Sequence, residues 1–320
     1  MITGNWGDFV NGVSARIDEI VEQTQELSPS FMSSGLWEKK TTDGLIYRTE
    51  GVTGLNYLEL FDEGDSIKED KTYPAYKTEY AVKQSGKTIT ISQMLMKTRS
   101  SELEAKLDEV RQQMIAANRT LNKWAWQVLV DGFTTTDSKA NFPVSRLSDA
   151  VAMFSASHPS KVGGVAVRSN ALSSNPVLSE TNLFTGIKQL REMKNGRGFP
   201  INYEGKFVLV VPTALEKTAL EVAKSTVKSG ASNSTLNYYE GIVDVISTSY
   251  VGAANGGSDT RWYLFAKDVS PIMKYVSLID PKIEKTVDFN TKSIRVSIDM
   301  ACAFGYSAFE HAVGSTGAGS

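Results

Sequence analysis

The sequence predicts an α+β chain of two lobes braced by one long helix, and three observations carry that expectation. The chain has 320 residues, 41% hydrophobic and 22% charged, which is more length than one compact core usually holds. Leu103, Leu107, Val110, Met114, Ala117, Leu121, Trp124 and Val128 alternate spacings of four and three, the pattern of an amphipathic helix. After it, helical patterns alternate with continuous apolar runs, and the last part returns to strand-like alternation, so helices and strands share the chain in blocks.

Residues 1–44 read as an arm. Val10, Val13, Ile17, Ile20 and Leu27 recur at near-helical spacing, widened by Trp6 and Phe9, and Pro29 ends the helix because it disfavours helix in the residue before it. The Ser/Gly/Thr-rich stretch that follows makes no core of its own and must pack elsewhere or stay mobile. Residues 45–93 then turn to short extended runs. Tyr73, Tyr76 and Tyr80 flank Pro74, and 87–92 alternate strictly, with Ile89 and Ile91 on one face; one or more long hairpins are expected. An acidic tract lies between them, with Glu59, Asp62, Glu63 and Asp65 continued by Glu69 and Asp70. Its plain reading is a solvated loop, and its sharper reading an electrostatic contact with a basic surface on another subunit.

Residues 94–139 hold the long helix, expected from Ser101 to Asp131 with Glu102 and Glu104 in its first turn and Gly132 as its stop. At 1.5 Å per residue it runs roughly 45 Å, long enough to brace an extended molecule. A self-pairing coiled coil is the competing account, but Trp124 and Trp126 suit packing on a sheet better than a narrow seam. Between 140 and 270 a mixed α/β lobe is expected. It has helices over 181–194 and 213–227, buried strands at 207–211, 242–246 and 262–265, and a flexible loop at 252–258. Residues 271–313 should close a sheet by a half-buried antiparallel hairpin, with Ile294, Val296, Ile298 and Met300 inward and Arg295 and Asp299 outward. The Gly/Ser-rich tail 314–320 reads as disordered.

Composition and motifs argue against most chemistry. Cys302 is the only cysteine, so disulfide dependence is excluded and a reducing compartment is expected. No apolar run approaches the roughly 20 residues of a membrane span, and the start of the chain has neither a basic cluster nor a hydrophobic block. With 34 Lys+Arg against 36 Asp+Glu, tight extended nucleic-acid binding is not expected. The two histidines, His158 and His311, lie far apart without metal-ligand spacing, and His158 reads as a satisfied structural residue. Phosphate loops and nucleophile elbows are missing, and the basic run Lys188, Arg191, Lys194, Arg197 reads most simply as a solvated helix face. No catalytic, metal or cofactor residue is expected.

From Leu147 to Pro159 (LSDAVAMFSASHP) the chain resembles the major head subunits of tailed bacteriophages with the Hong Kong 97-type capsid fold, particularly the phage Mu-like head subunits. The resemblance continues through residues 178–201 (LSETNLFTGIKQLREMKNGRGFPI), 207–225 (FVLVVPTALEKTALEVAKS), 237–251 (NYYEGIVDVISTSYV) and 262–266 (WYLFA). The resemblance implies a Hong Kong 97-like α+β fold. In it, 1–44 is an N-terminal arm, 45–93 an extended β-hairpin loop with adjoining strands, and 94–139 a peripheral domain with its spine helix. Residues 140–270 then form an axial domain, and 271–313 the return to the peripheral sheet.

The implied function is a structural, non-enzymatic shell subunit of a virion, assembled in the host bacterial cytoplasm as pentamers and hexamers around double-stranded DNA that it does not grip. Portal and scaffolding proteins are the implied partners, scaffold being a separate protein because only a short arm precedes the body, with a decoration protein left open and no membrane. Expected contacts between copies are Trp6, Phe9 and Ile17 in the arm and Tyr73, Tyr76, Ile89 and Ile91 in the extended loop. The acidic tract (Glu59, Asp62, Glu63, Asp65) is expected to meet Arg191, Lys194 and Arg197 of a neighbour. An encapsulin-like compartment with enzyme cargo and an α/β hydrolase with an unrecognised site are the rival readings.

Overall fold

The computed structural model of the chain describes residues 6–25, 29–53, 57–58, 60–63, 66–67, 69–98, 101–137, 142–225, 238–288 and 290–319. In chain order these form α1 (Trp6–Gln25), β1 (Trp37–Thr41), β2 (Ile46–Val52), β3 (Pro74–Ala81), β4 (Lys83–Ser92), α2 (Gln93–Thr98) and α3 (Ser101–Val130). They continue with α4 (Glu180–Arg191), β5 (Phe207–Val211), α5 (Glu216–Ala223), β6 (Val243–Ser247), β7 (Trp262–Ala266), β8 (Met273–Asp288), β9 (Ser293–Tyr306) and β10 (Ala312–Ser315).

The heptad-like stripe becomes α3, 30 residues long. Leu103, Leu107, Val110, Met114, Ala117, Leu121 and Val128 are buried, and they pack on a four-stranded sheet of order β1-β8-β9-β4. The alternation in β9 does what a period of two requires: Ile294, Val296, Ile298 and Met300 are buried and Arg295 is exposed. No coiled-coil seam is left, because the sheet and α1 occupy the stripe. Trp124 lies flat on Phe142 with ring centroids 4.3 Å apart. Polar side chains of α3 tie in the backbone around it. Gln113 donates to the carbonyls of Lys87 and Val296, both at 3.3 Å, and Asn122 accepts from the Phe31 amide at 2.9 Å.

The second sheet has order β10-β7-β5-β6. Both of its faces are covered, which explains the continuous apolar runs in β5 and β7. Val208, Val210, Tyr263 and Phe265 join the core beneath α3, while Phe207, Leu209, Val211, Trp262 and Leu264 face α4 and α5. Ser179 caps α4 by accepting from the Asn182 amide. One hydrophobic core therefore runs along α3 from the first sheet to the second.

Four expectations need correction. The alternating run at 87–92 belongs to β4, which pairs with β9 instead of the hairpin, because its inward residue Ile91 is required beneath α3. The helix expected over 181–194 stops at Arg191, and that over 213–227 is a short 3-10 turn followed by α5, within the described residues. The expected flexible loop at 252–258 is built from short 3-10 turns at Ser249–Val251 and Ala253–Asn255, with the carboxylate of Asp259 accepting from the Ala253 amide at 2.9 Å. The tail is not disordered from 314, since β10 adds to β7 and Ser315 is fully buried. Glycine there serves packing: a Cβ at Gly314 would lie 2.8 Å from the ring of Phe154.

Candidate assembly surface

The side chains that could do chemistry are used up in structure. His158 is buried with Nδ1 2.7 Å from Asp149 Oδ2 and Nε2 3.0 Å from Asn170 Oδ1, and its ring stacks on Phe309 at 3.6 Å. Asn170 is itself fixed, its amide donating to the carbonyl of Met153 at 2.8 Å while its oxygen accepts from the Ser155 amide at 2.9 Å. Arg168 covers the other side of this knot, its guanidinium 4.6 Å from the Phe309 ring and 2.7 Å from Glu310. Cys302 is buried in β9, where desolvation pushes its thiol up to about 12 and leaves it unreactive. Among the described residues no group of three His, Cys, Asp or Glu could hold a metal ion, and no helix is long and apolar enough to cross a membrane.

Among the described residues, the extended loop carries the two most exposed large apolar side chains. β2 and β3 pair antiparallel from Ile46↔Ala81 to Val52↔Pro74, and Pro74 sits at the strand start, where a missing amide costs no ladder bond. The amide and hydroxyl of Thr53 both donate to the Tyr73 carbonyl, at 2.9 and 3.1 Å, closing the base of the loop. Beyond that base Leu58 and Leu60 are 98% and 103% exposed, with Phe61 and Ile67 also largely exposed. A cluster of this kind is uncommon on a self-sufficient surface.

The expected contact residues fall into four groups. Trp6 and Phe9 lie in α1, but their side chains, like Glu59 and Asp65 as a whole, are outside the described residues. Ile17 and Ile91 are 1% and 0% exposed and belong to this chain's own core. α1 is held there by Arg16, which makes two bonds to Glu104 at 2.8 and 2.6 Å, and by Asp18, 2.5 Å from Lys285. Ile89 is half-buried, and Tyr76 packs against the core with Lys161 Nζ 4.9 Å from its ring. Tyr73, Asp62, Glu63 and Lys194 are exposed.

Asp70, in the continuation of the acidic tract, meets a basic residue of its own chain. Arg197 donates to Asp70 at 3.1 and 2.8 Å and to the Lys71 carbonyl. Arg191 donates to the Tyr238 hydroxyl at 3.5 Å and covers Phe207. Sequence reasoning missed the pairing of Tyr57 with Phe199, whose centroids are 4.6 Å apart, and the role of Lys161, which donates to the Ala75 carbonyl at 2.8 Å. Neither carries a local signal, since both contacts join segments far apart in the chain.

A family model described as phage capsid protein matches residues 75–312. No curated protein matches the sequence significantly. Among solved structures, the chain is similar to one from Mycobacterium phage Patience, with 12% identity, a TM-score of 0.55, and coverage of 97% of this chain and 86% of that one. It is also similar to the capsid of Myoviridae phage XM1, at 11% identity and a TM-score of 0.53 over 90% and 91% of the two chains. The asymmetric unit of the bacteriophage PhiM1 mature capsid matches at 12% identity and a TM-score of 0.52, over 88% and 85%. At such identities the likeness speaks to the fold, which is that of Hong Kong 97-type capsid proteins.

Proposed function

The chain belongs to the phage capsid protein family, and from that premise we propose that its copies close into an icosahedral head through their extended loops. A major capsid protein is a structural, non-enzymatic component of the virion, and the engaged His158 and desolvated Cys302 are in keeping with that. The observation that carries the loop reading is the exposure of Leu58, Leu60, Phe61 and Ile67 in the single chain. Covering each such side chain gains about 1.5–3 kcal/mol, and contacts repeated around a closed shell add through multivalency. Ile17 and Ile91 are already spent on the subunit's own core, so the loop tip, Tyr73 and the acidic pair Asp62 and Glu63 remain as contacts between copies.

The head encloses double-stranded DNA without gripping it, as a net charge of -2 suggests, with portal and scaffolding proteins as partners and assembly in the host bacterial cytoplasm. Family membership favours this over a compartment with enzyme cargo. Replacing Leu58 and Leu60 together by serine tests it. Both side chains are free of the subunit's core, so thermal unfolding of the subunit should stay within about 1 °C of wild type while shells disappear from velocity sedimentation. Shells formed at wild-type yield would remove the loop tip from the contact.

A further inference from the structure

One short segment of the second lobe, residues 194–199, holds the extended loop of the same chain at both ends. On the outgoing side Thr53 packs against Gly196, where an added Cβ would lie 3.3 Å from the Thr53 Cβ, and Tyr57 meets Phe199 edge-on. On the returning side Arg197 takes hold of Asp70 and the Lys71 carbonyl, with its guanidinium 5.4 Å from the ring of Tyr73. The segment is a firm mount. Asn195 accepts from the amides of Arg197 and Phe199 at 2.9 and 3.1 Å, and Ser160 donates to the Gly196 carbonyl at 2.6 Å.

The grip is incomplete. The Arg197 side chain is 5% exposed, yet among the described residues its buried Nε has no hydrogen-bond partner, which costs free energy that a fully satisfied site would not lose. Asp70 is the more exposed partner, its side chain 30% exposed against 5% for Arg197, so solvent partly screens the pair. The loop's most apolar residues remain uncovered throughout. A hold that leaves a buried donor unsatisfied and the apolar tip in water is favoured only until something covers that tip.

Resting on the reading that the loop is the contact between copies, we propose that residues 194–199 are a latch, which holds the loop against its own subunit and releases it when another copy associates. Arg197, expected to meet the acidic residues of a neighbour, is thus first engaged by Asp70 of its own chain, and the rupture of that contact is part of the association step. Subunits must open the latch before they join, so the latched fraction sets the concentration at which shells appear.

The test uses the full chain with Thr53→Cys and Gly196→Cys. The Cβ separation of 3.3 Å falls just short of the usual disulfide range, so the bridge needs a small backbone shift to form, and the native Cys302 is buried and does not compete. Oxidised subunits should remain unassembled, and reduction in the same tube should restore shells. Arg197→Ala supplies a second arm, with shells appearing at a concentration about threefold lower than wild type or less. Oxidised subunits that assemble at the wild-type rate, or an Arg197→Ala threshold equal to or above wild type, overturn the latch alone. A wild-type chain that forms no shell under any of these conditions defeats the head reading, and the latch with it.

Discussion

At His158 the structure turns a possible general base into a joint. Its two ring nitrogens and its face are all engaged, by Asp149, Asn170 and Phe309, and this joins segments that make no sheet with one another. His158→Ala should therefore cost about 3 kcal/mol of stability in chemical denaturation, because the buried side chain of Asp149 loses its partner. His158→Phe, which keeps the stack but not the hydrogen bonds, should recover little of it; full recovery would show that stacking alone matters. His311 behaves differently. Burial holds its pKa below the ordinary histidine value, with Glu310 partly offsetting the effect. The unfolded chain then binds more protons than the folded one near that value, so stability falls as pH drops from about 7.5 to about 5.5. His311→Gln should flatten that part of the curve of melting temperature against pH, and an unchanged slope would assign it to other groups.

Among the elements, those governed by local periodicity were legible in the sequence and those governed by tertiary pairing were not. The stripe on α3, the alternation in β9 and the apolar runs of β5 and β7 each impose their own structure, and each appears where expected. β4 has the alternation of a hairpin strand but pairs with β9, more than 200 positions onward, and nothing local reports such a partner. The glycine-rich end was misread because composition alone does not separate glycine used for flexibility from glycine used for close approach, as Phe154 demands at Gly314. In the candidate surface, the loop and its acidic tract were legible, whereas its return to Arg197 depends on the position of the second lobe. The arm was legible as an amphipathic helix, but its apolar face is covered by α3 of the same chain. Ile17→Ala and Leu107→Ala should accordingly each lower subunit stability by about 2–5 kcal/mol, seen as a reduced denaturation midpoint. A loss of shells with no change in that midpoint would place Ile17 at a contact between copies instead.

As a whole molecule, the chain joins two four-stranded sheets along one long helix, with one core shared between them beneath α3, a second under α4 and α5, and a two-stranded sheet in the extended loop. That design combines a core shared by both sheets with fully exposed Leu58 and Leu60 in the loop, as suits a subunit whose stable setting is among many copies of itself. From the near-balance of 34 basic and 36 acidic residues, retention of the purified subunit on DNA should be weak at physiological salt. The central claim is association into a shell, and electron microscopy of the chain expressed in bacteria tests it most directly. Closed isometric particles of uniform diameter are the predicted result. A field of monomers and small oligomers at every protein and salt concentration would contradict the account.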